Sequence, residues 1–433
     1  GGAVARDQGM DGAAWGEALG GTYVVGGEAF GTADAATLSV VDMRGLPKLR
    51  EAYEAFGTAA LRQAEKNPQA FFTAFSRAAG TAVSYGGNTR EQGYANMVDL
   101  GSLSKHARSL LPGTADNLRQ AVQESIVYKV SGPYRRESSG LSGYYSYNGD
   151  ADNFMAYAQQ AAPLLPMKCL YYGLIFGKMP PQAAPYLQGA AASETTAISQ
   201  PEERKKIFDV SQLEDTPVDI DKDGNAFVKL SPAQMENLAS VHCQLVFQSK
   251  EDDVLLYLGS DADINADWEK GIFKDNFQGN WPMLDGHPVY IEITYEGDDY
   301  NLYSVPIKLN GREGNLQVAY TFKDKAYRIL GLRRGIEANG IADRELVPLK
   351  AGDVVTTLHY AMKLSGHEEE FQQFEVDTFT LGAQPQIADE AMGDGVYGYC
   401  FEFVDPQNKS ALSRIVTYTI KDGHIVTSVE AAK

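Results

Sequence analysis

The chain has 433 residues, of which 44% are hydrophobic and 22% charged, and its formal net charge at pH 7 is −19. This length is enough for about two or three domains, and the composition is typical of a globular protein. The acidic balance disfavours nucleic acid and anionic lipid as partners, and no apolar run approaches the ~20 residues needed to cross a bilayer.

The acidic charge is concentrated in the C-terminal half. Residues 1–205 hold 18 Lys and Arg against 19 Asp and Glu, whereas residues 206–433 hold 20 against 38. We interpret this excess as a solvated acidic face rather than as a dedicated cation site. The three cysteines, Cys169, Cys243 and Cys400, are too far apart for a disulfide framework or a zinc pattern, and we predict buried thiols.

Helices and strands alternate in the N-terminal half. The first 35 residues are rich in Gly and Ala, and we predict a loop there. Apolar residues of helical spacing predict helices over residues 46–60, 70–79, 97–111 and 118–125, and a strand follows at residues 126–130. The alternation over residues 36–175 predicts an α/β layer arrangement.

Two short stretches within this half have a specific pattern. Residues 94–103, the first motif, read Tyr-Ala-Asn-Met-Val-Asp-Leu-Gly-Ser-Leu, and residues 140–147, the second motif, read Gly-Leu-Ser-Gly-Tyr-Tyr-Ser-Tyr. In the first motif Asn96 or Asp99 can cap a helix whose apolar stripe begins at Leu100. The second motif has the aromatic and small residues of a buried strand that runs toward a loop.

Together, the two motifs resemble the clostripain family of cysteine peptidases. That family has a Tyr-x-Asn-x-Val-Asp-Leu run and a Gly-Leu-Ser-x-Tyr run, both downstream of its catalytic cysteine. Residues 37–42, Thr-Leu-Ser-Val-Val-Asp, resemble the family's strand that enters a helix, and residues 4–8, Val-Ala-Arg-Asp-Gln, resemble the end of its Val-Ala-Ser-Glu-Glu segment. The four stretches occur in the family's order, all before residue 150.

The resemblance implies a partial caspase-like α/β sheet with packed helices and an endopeptidase that cleaves protein or peptide substrates after Arg or Lys. It also implies a bacterial protein that is secreted or held at the cell surface. No cysteine precedes Cys169, and the sequence Asp-Ala-Cys does not occur. The alignment therefore implies that this chain starts after the nucleophile, and that an associated N-terminal peptidase segment carries the Cys/His dyad.

The resemblance also suggests one substrate-binding residue. In this family an acidic residue in a Gly-Asp-Gly-Trp-like segment, shortly after the cysteine, helps to bind the basic side chain of the substrate. Asp11 is the matching position, although Ala13 and Ala14 separate its segment from Trp15. A carboxylate in a partly closed pocket would make a charge-assisted contact with Arg. The alternative is an aspartate that caps a turn or a helix.

A dyad within this half of the chain would have to combine His106 with Cys169. Cys169 lies in the apolar run Met-Lys-Cys-Leu-Tyr, which lacks the strand end and the small residues that expose a nucleophile. We therefore predict that Cys169 packs in the core and that His106 occupies a surface position on a helix, so that neither is catalytic.

The C-terminal half has a different pattern. Residues 193–206 are polar and predict a linker between the peptidase-like domain, residues 1–192, and a β-rich accessory domain of one or two subdomains, residues 207–433. Strand-like segments recur there at short intervals, with turn pairs such as Asn310-Gly311 between them. The fold class is therefore α/β followed by all-β, with a C-terminal antiparallel β-sandwich-like or barrel domain.

One acidic loop in this half suggests a metal. Asp219, Asp221 and Asp223, followed by Gly224, match the first half of a calcium-binding EF-hand loop. Calcium is therefore the one cofactor that the sequence suggests. The twelfth loop position is Leu230, where such a loop needs a bidentate Glu. A hairpin turn explains the same residues without metal.

A second polar segment suggests a binding surface. Three aspartates and Trp268 are followed by Asp275 and by Asn280-Trp281-Pro282, a combination that could bind sugar or peptide; the aspartates are Asp261, Asp263 and Asp267. Tryptophans are more often core anchors, which is the alternative.

Two functions remain open from sequence. In the first, the chain is the C-terminal portion of a clostripain-like cysteine endopeptidase. In the second, it is a non-catalytic binding or adhesion protein derived from a peptidase. Half of a caspase-like sheet would leave an open strand edge and an uncovered apolar face, and such a surface would favour the first function.

Overall fold

The computed structural model describes residues 11–30, 33–88, 94–160, 164–188, 197–249, 254–261, 264–275, 277–334, 346–363 and 372–429. The chain divides into two compact units. The first comprises Gly1–Asp209 together with Asp405–Lys409, and the second comprises Val210–Val404 and Ser410–Lys433. The first unit is mixed α/β, and the second consists mainly of strands.

The first unit contains α1 (Gly12–Phe30), β1 (Thr37–Val41), α2 (Leu46–Lys66), α3 (Pro68–Thr81), β2 (Ser84–Tyr85), β3 (Met97–Asp99), α4 (Leu100–His106), α5 (Thr114–Ser125), β4 (Ile126–Ser131), β5 (Ser142–Tyr144), α6 (Ala151–Gln159), α7 (Leu165–Phe176) and α8 (Ala184–Gln188). Among the described residues, its strands form two small antiparallel sheets, β1 with β4 and β2 with β3 and β5.

The loop predicted for residues 1–35 is wrong over α1. Its glycines lower helix propensity, but Gly16 and Gly20 lie one turn apart and are buried. A side chain at Gly16 would overlap Val40, and one at Gly20 would overlap the ring of Tyr128. The helix therefore depends on close contact with the β1–β4 pair, a tertiary interaction that local propensity does not report.

A core of aromatic and aliphatic side chains fills the first unit. Phe56, Phe72 and Phe176 are almost fully buried, and so is Cys169 in α7, which confirms its predicted core position. Within the described parts of the chain, no helix combines the length and the apolar character that crossing a bilayer requires.

The first part of the second unit contains one short helix, α9 (Pro232–Met235), and the strands β6 (Asp219–Ile220), β7 (Ala226–Lys229), β8 (Ser240–Ser249), β9 (Val254–Asp261), β10 (Asn265–Asp267), β11 (Ile272–Lys274), β12 (Asn280–Leu284), β13 (His287–Pro288) and β14 (Ile291–Glu296). It continues with β15 (Tyr300–Leu309), β16 (Arg312–Thr321), β17 (Ala326–Arg333), β18 (Val354–Lys363), β19 (Gln372–Thr380), β20 (Ile387–Ala391), β21 (Gly395–Val404), β22 (Ser410–Leu412), β23 (Val416–Lys421) and β24 (His424–Val429).

The described strands of the second unit form three sheets. The largest has 12 strands and follows the order β17-β16-β15-β14-β9-β8-β21-β23-β24, with β18, β19 and β22 paired outside this path. Two smaller sheets have the orders β10-β11-β7-β6 and β13-β12-β20. The described pairings are antiparallel, as the turn pairs predicted, except that β14 runs parallel to β9 at Ile291 and Glu292.

A buried histidine lies where the large sheet divides. Both β14 and β18 pair with β9 and with β15. His359 of β18 is fully buried, and its Nδ1 and Nε2 lie 3.3 Å from the Tyr257 carbonyl and 3.2 Å from the Pro288 carbonyl. A neutral imidazole donates to only one of these oxygens, whereas burial disfavours the charged form that could donate to both.

We expect His359 to make the second unit less stable in acid. Burial lowers its pKa from 6.5, although the two carbonyls and Asp377 act in the opposite direction. As the pH falls below about 6.5, the unfolded chain binds a proton that the folded chain resists, so the free energy of unfolding falls. Urea unfolding from pH 8 to pH 5 should show this slope, and His359→Gln should reduce it. Parallel curves for the two proteins would contradict the assignment.

Candidate functional site

The first and second motifs are joined within the first unit. Val98 pairs with Gly143 where β3 and β5 run antiparallel, and the Leu100 N–H donates a 2.9 Å hydrogen bond to the Leu141 carbonyl. We call residues 94–103 and 138–147 the motif junction. Two stretches that are about 40 residues apart in sequence therefore form one local structure.

Asp99 is the centre of the motif junction. Its side chain is fully buried and accepts three hydrogen bonds, from the Ser102 N–H at 2.8 Å, the Tyr85 hydroxyl at 2.7 Å and the Ser139 N–H at 2.7 Å. The first bond makes Asp99, rather than Asn96, the N-cap of α4. The other two fix β2 and the segment before the second motif, so the carboxylate connects three parts of the chain.

The environment of Tyr85 keeps its phenol protonated. Burial and the charge of Asp99 raise the pKa of Tyr85, with smaller opposing effects from Ser138 and Arg135. Arg135 also donates to the Ser84 carbonyl at 2.9 Å, next to this phenol. At neutral pH the phenol therefore donates to Asp99 rather than acting as a base.

Asn96 holds the other end of the junction. Its φ angle of 51° lies in the left-handed region that Asn tolerates better than most residues. Its side-chain oxygen accepts from the Tyr147 N–H at 2.9 Å, and its carbonyl accepts from the Tyr145 N–H at 3.0 Å. Asn96 therefore acts as a connector in the loop before β3 and not as a helix cap.

Tyrosines of the second motif attach the junction to the helices. Tyr144 stacks on Tyr157 of α6 with ring centroids 4.0 Å apart, and the Tyr145 hydroxyl donates to Ser76 Oγ of α3 at 2.9 Å. Burial raises the pKa of Tyr145 to about 12. These contacts give the junction a rigid base of packed rings.

A third family-like stretch also reaches the junction. Residues 37–42 form β1 and its exit into a helix, and the Ser39 hydroxyl donates to the Gly140 carbonyl at 2.6 Å. Gly140 has a φ of +103°, and a side chain there would meet Ser39. Three of the four stretches that resemble the clostripain family are thus hydrogen-bonded together, and residues 4–8 lie outside the described residues.

Asp11 lies at the start of α1. Its carboxylate accepts from the Ala14 N–H at 2.8 Å, its carbonyl accepts from the Trp15 N–H at 3.0 Å, and its side chain is exposed. The structure thus shows a helix-capping aspartate. Its contact with a substrate stays a prediction.

Cys169 and His106 differ in how well the sequence predicted them. Burial raises the pKa of the Cys169 thiol to about 12, so it is protonated at neutral pH and a poor nucleophile. His106 lies on a helix as predicted, at the end of α4, but it is half-buried rather than fully exposed. The spacing of apolar residues did not show that the end of this short helix packs inward.

The acidic loop at residues 219–225 forms a hairpin between β6 and β7. Asp221 accepts from the Asp223 N–H at 2.9 Å and the Asn225 N–H at 3.0 Å and forms an ion pair with Lys274, all of which lower its pKa. Asp219 and Asp223 are exposed. Among the described residues, no group of three His, Cys, Asp or Glu side chains is arranged to hold a metal ion.

A second candidate site is a cavity of about 330 Å³ in the second unit, which we call the tyrosine-lined cavity. Strands of the large sheet and of the β13-β12-β20 sheet both contribute to it. Its polar and small lining residues are Cys243, Asp275, Gln278, Asn280, Pro282 and Asp389, and its larger apolar and aromatic ones are Leu245, Phe277, Trp281, Ile291, Tyr303, Tyr320, Tyr327 and Tyr399.

Asp275 is the buried carboxylate of this cavity, with only 3% of its surface exposed. Its Oδ1 accepts from the Phe277 N–H at 2.6 Å, and its Oδ2 accepts from the Tyr418 hydroxyl at 3.1 Å. Burial and the charge of Asp275 raise the pKa of Tyr418, so this phenol remains a donor. These two hydrogen bonds fix the orientation of the carboxylate in the cavity wall.

Tyr399 interacts with both the Asp275 carboxylate and the Cys243 thiol. It is buried, and its hydroxyl hydrogen-bonds to the sulfur of Cys243. Burial and the neighbouring Cys243 and Asp275 raise the pKa of Tyr399. Cys243 and Cys400 are buried like Cys169, which confirms the predicted state of all three thiols.

The cavity mouth is more polar than its interior. Gln278, Asn280 and Asp389 are exposed, and the Tyr327 hydroxyl donates to Asp389 Oδ1 at 3.1 Å. Trp281 is buried and donates through Nε1 to the Val289 carbonyl at 2.9 Å. Trp281 is therefore a core anchor, as the alternative from sequence predicted, and it also forms part of the cavity wall; its contact with a sugar or peptide stays a prediction.

The polar segment from residue 261 to residue 282 divides in the structure. Its second part, from Asp275, lines the cavity. In its first part, Asp267 pairs with Lys270 at 2.7 Å and Trp268 packs edge-on against Phe273. Asp263 lies outside the described residues. The tyrosines and Asp389 were missed because they come from distant strands and share no sequence pattern.

No protein-family model matches the chain, and a search of the curated proteins found no match either.

Proposed function

We propose that the chain is the C-terminal portion of a clostripain-like cysteine endopeptidase that cleaves after Arg or Lys. The catalytic Cys and His would be supplied by a peptidase segment outside these 433 residues. The observation that carries the proposal is the motif junction. Short motifs that match a family by chance have no reason to contact one another, whereas here Asn96 and Asp99 hydrogen-bond the first motif to the second and its flank.

The strand pair β1–β4 of the first unit, which has no further strand beside it among the described residues, supports the same proposal. A two-stranded sheet is marginally stable alone, and β1 pairs with β4 without a third strand among the described residues. No residue of β1 is fully buried, and apolar side chains are exposed on the elements that contact β1, with Val127 of β4 exposed by 47% and Leu19 of α1 by 48%. We take the first unit to be part of a caspase-like domain, in which strands of the missing segment would pair with β1 or β4.

The proposed mechanism divides the chemistry between two segments. The missing segment would supply the thiolate nucleophile, its histidine base and the oxyanion donors. This chain would supply the rigid junction and, through Asp11, a carboxylate for the basic side chain of the substrate. One Asp11 oxygen caps α1, and a carboxylate has a second oxygen that can accept from a guanidinium. The protein would act outside a bacterial cell or at its surface.

The proposal is tested on the assembly purified from its natural source with an antibody against the second unit. We expect fluorogenic peptides that end in Arg or Lys to be cleaved and matched peptides that end in Gln to be left intact. N-terminal sequencing and an Arg-based acyloxymethyl ketone should identify an associated segment with a reactive cysteine. An assembly without such a cysteine that does not cleave these peptides would exclude the peptidase function.

Asp11 has a matched test in the same assembly. Asp11→Asn keeps a capping oxygen for α1 but removes the charge, so kcat/KM for Arg substrates should fall by about tenfold or more. Glu17→Gln removes an exposed charge from the same helix and should leave kcat/KM unchanged. Equal values for both variants would remove Asp11 from the substrate pocket while leaving the peptidase function untouched.

A further inference from the structure

We propose that β24 is a docking edge, to which an extended basic segment of another protein adds as a further strand. β24 lies at the end of the strand order of the 12-stranded sheet, and among the described strands it pairs only with β23. An edge strand presents a row of main-chain N–H and C=O groups with which a further strand can pair. The proposal is independent of the peptidase function, because β24 belongs to the second unit.

The hairpin geometry shows which main-chain groups of β24 face outward. Asp422 and Gly423 form the two-residue loop between β23 and β24, and both have positive φ angles, 53° and 73°. The residues on either side of such a loop form a hydrogen-bonded pair, and the two kinds of antiparallel pair alternate beyond it. The N–H and C=O groups of Ile425, Thr427 and Val429 therefore point away from β23. Among the described residues, no main-chain hydrogen bond outside the helices and strands involves them.

The sequence of β24 lacks the features that usually protect a sheet edge. Its residues, His-Ile-Val-Thr-Ser-Val, include no Lys, Arg, Asp, Glu or Pro, and the strand pairs with β23 without a bulge. Charged side chains, prolines and bulges are the common means of preventing a further strand from adding. Val426 is 64% exposed and Ile425 is 40% exposed, so this edge also presents apolar side chains.

The other edges of the same sheet are protected. β19 carries Glu375 and Asp377, and β22 has only three residues. In β17, Leu332 exchanges two hydrogen bonds with Val347, at 2.7 and 2.9 Å, so part of that edge is covered. Charge, short length and cover are each known to block pairing with a further strand. Among the described edges of this sheet, β24 thus combines a long open main chain with uncharged side chains.

The charge of the second unit selects a basic partner. Residues 206–433 hold 38 Asp and Glu against 20 Lys and Arg. Two exposed carboxylates lie at the loop end of β24, where the Asp422 N–H donates to Asp394 Oδ1 at 2.9 Å. The field of this unit attracts a positively charged segment and repels an acidic one. Main-chain pairing with β24 would then hold the segment in place, while the acidic surroundings would determine which segments approach.

A second copy of this chain is the competing occupant. β24 could pair with its own counterpart across a two-fold axis. Each copy would bring the same acidic charge to the contact, however, and like charges oppose association. A basic segment replaces this repulsion with attraction, so charge complementarity favours the basic segment.

The first test is fluorescence anisotropy of a labelled, blocked peptide, Lys-Lys-Val-Thr-Val-Thr-Lys-Lys, titrated with the whole chain. One comparison peptide has Glu in place of each Lys, and the other carries N-methyl groups on its central amides. We expect saturable binding of the Lys peptide, at least about tenfold tighter than that of either comparison peptide, because the first lacks the charge and the second lacks N–H donors. Equal affinity of either comparison peptide would overturn the proposal, as would the absence of saturable binding of the Lys peptide.

Hydrogen exchange locates the contact on the sheet. When the Lys peptide binds, the amides of Ile425, Thr427 and Val429 should exchange more slowly, because they gain the peptide carbonyls as acceptors. The amides of β19 should exchange at an unchanged rate. Protection of β19 without protection of β24 would contradict the assignment of the docking edge.

Two exposed valines on edge strands provide a matched pair of variants. Val426 of β24 is 64% exposed and Val376 of β19 is 42% exposed, and replacing either with Lys adds one positive charge to the second unit. Val426→Lys should weaken binding of the Lys peptide by about fivefold or more, because the new charge lies on the docking edge. Val376→Lys should weaken it by less than about twofold. Equal effects would mean that the peptide responds only to the total charge of the unit.

Thr427→Pro examines the main chain directly. It removes one outward N–H of β24, and proline is compatible with an edge strand at such a position. Binding of the Lys peptide should weaken by more than about tenfold. Should Thr427→Pro fail to fold, hydrogen exchange and the valine pair decide the question. A dimer of the unliganded chain in sedimentation, dissociated by Val426→Lys, would assign the edge to a second copy and overturn the proposal.

Discussion

Replacing Asp99 with Ala should lower the free energy of unfolding of the first unit by about 3–5 kcal/mol. The change leaves three donors without their acceptor, namely the N–H groups of Ser102 and Ser139 and the Tyr85 hydroxyl. Each lies at or near a buried position, where an unpaired donor costs about 1–3 kcal/mol. The loss of the α4 cap adds to this cost.

Native-state hydrogen exchange measures this effect locally. In Asp99→Ala the amides of Ser102 and Ser139 should exchange faster than in the parent chain, by more than the change at amides elsewhere in the first unit. Tyr85→Phe is the graded control, because it removes one of the three bonds and should cost about 1 kcal/mol. Equal stability of Asp99→Ala and the parent would show that the carboxylate does not hold the motif junction together.

The second large effect is expected at Gly16 in α1. A methyl group there would overlap both methyl groups of Val40 and lie 3.0 Å from its Cβ. Val40 is a β-branched residue of β1 and has little freedom to turn away. Gly16→Ala should therefore destabilise the first unit by about 1–3 kcal/mol, despite the better helix propensity of Ala.

Gly21 of the same helix is the matched control. A methyl group at Gly21 meets no atom within 4 Å, so Gly21→Ala should stabilise the helix by about 0.5–1 kcal/mol. Trp15 is the tryptophan of the first unit, and its fluorescence during urea unfolding reports on both variants. Changes of the same sign at Gly16 and Gly21 would mean that propensity, and not contact with β1, determines the stability of α1.

Local patterns in the sequence were sufficient for several parts of the fold. Asp99 as one of two possible caps, a strand in the second motif and a hairpin at residue 221 as the alternative to a calcium loop all came from local patterns, because each depends on neighbours within a few residues. The burial of the three cysteines was predicted because their spacing fits neither a disulfide framework nor a zinc pattern. The mixed α/β character of the first unit and the β-rich second unit followed from the change in hydrophobic period.

The errors have a common physical cause. Residues 12–30 were predicted as a loop because glycines disfavour helices locally, while the free energy that holds α1 comes from close packing of Gly16 and Gly20 on β1 and β4. His106 was placed on the surface of a helix predicted over residues 97–111, whereas the helix is only Leu100–His106 and its last residue is half-buried. In both cases tertiary contacts outweighed a local preference.

Sequence by itself determined the class of each half and the acidic charge of the second. Only the tertiary structure decided that Asp99 connects two motifs, that β1 reaches the second of them, and that tyrosines from four strands enclose a cavity around Asp275. The reason is that strand pairing and side-chain packing join residues far apart in the chain, and no local pattern encodes which strands become neighbours.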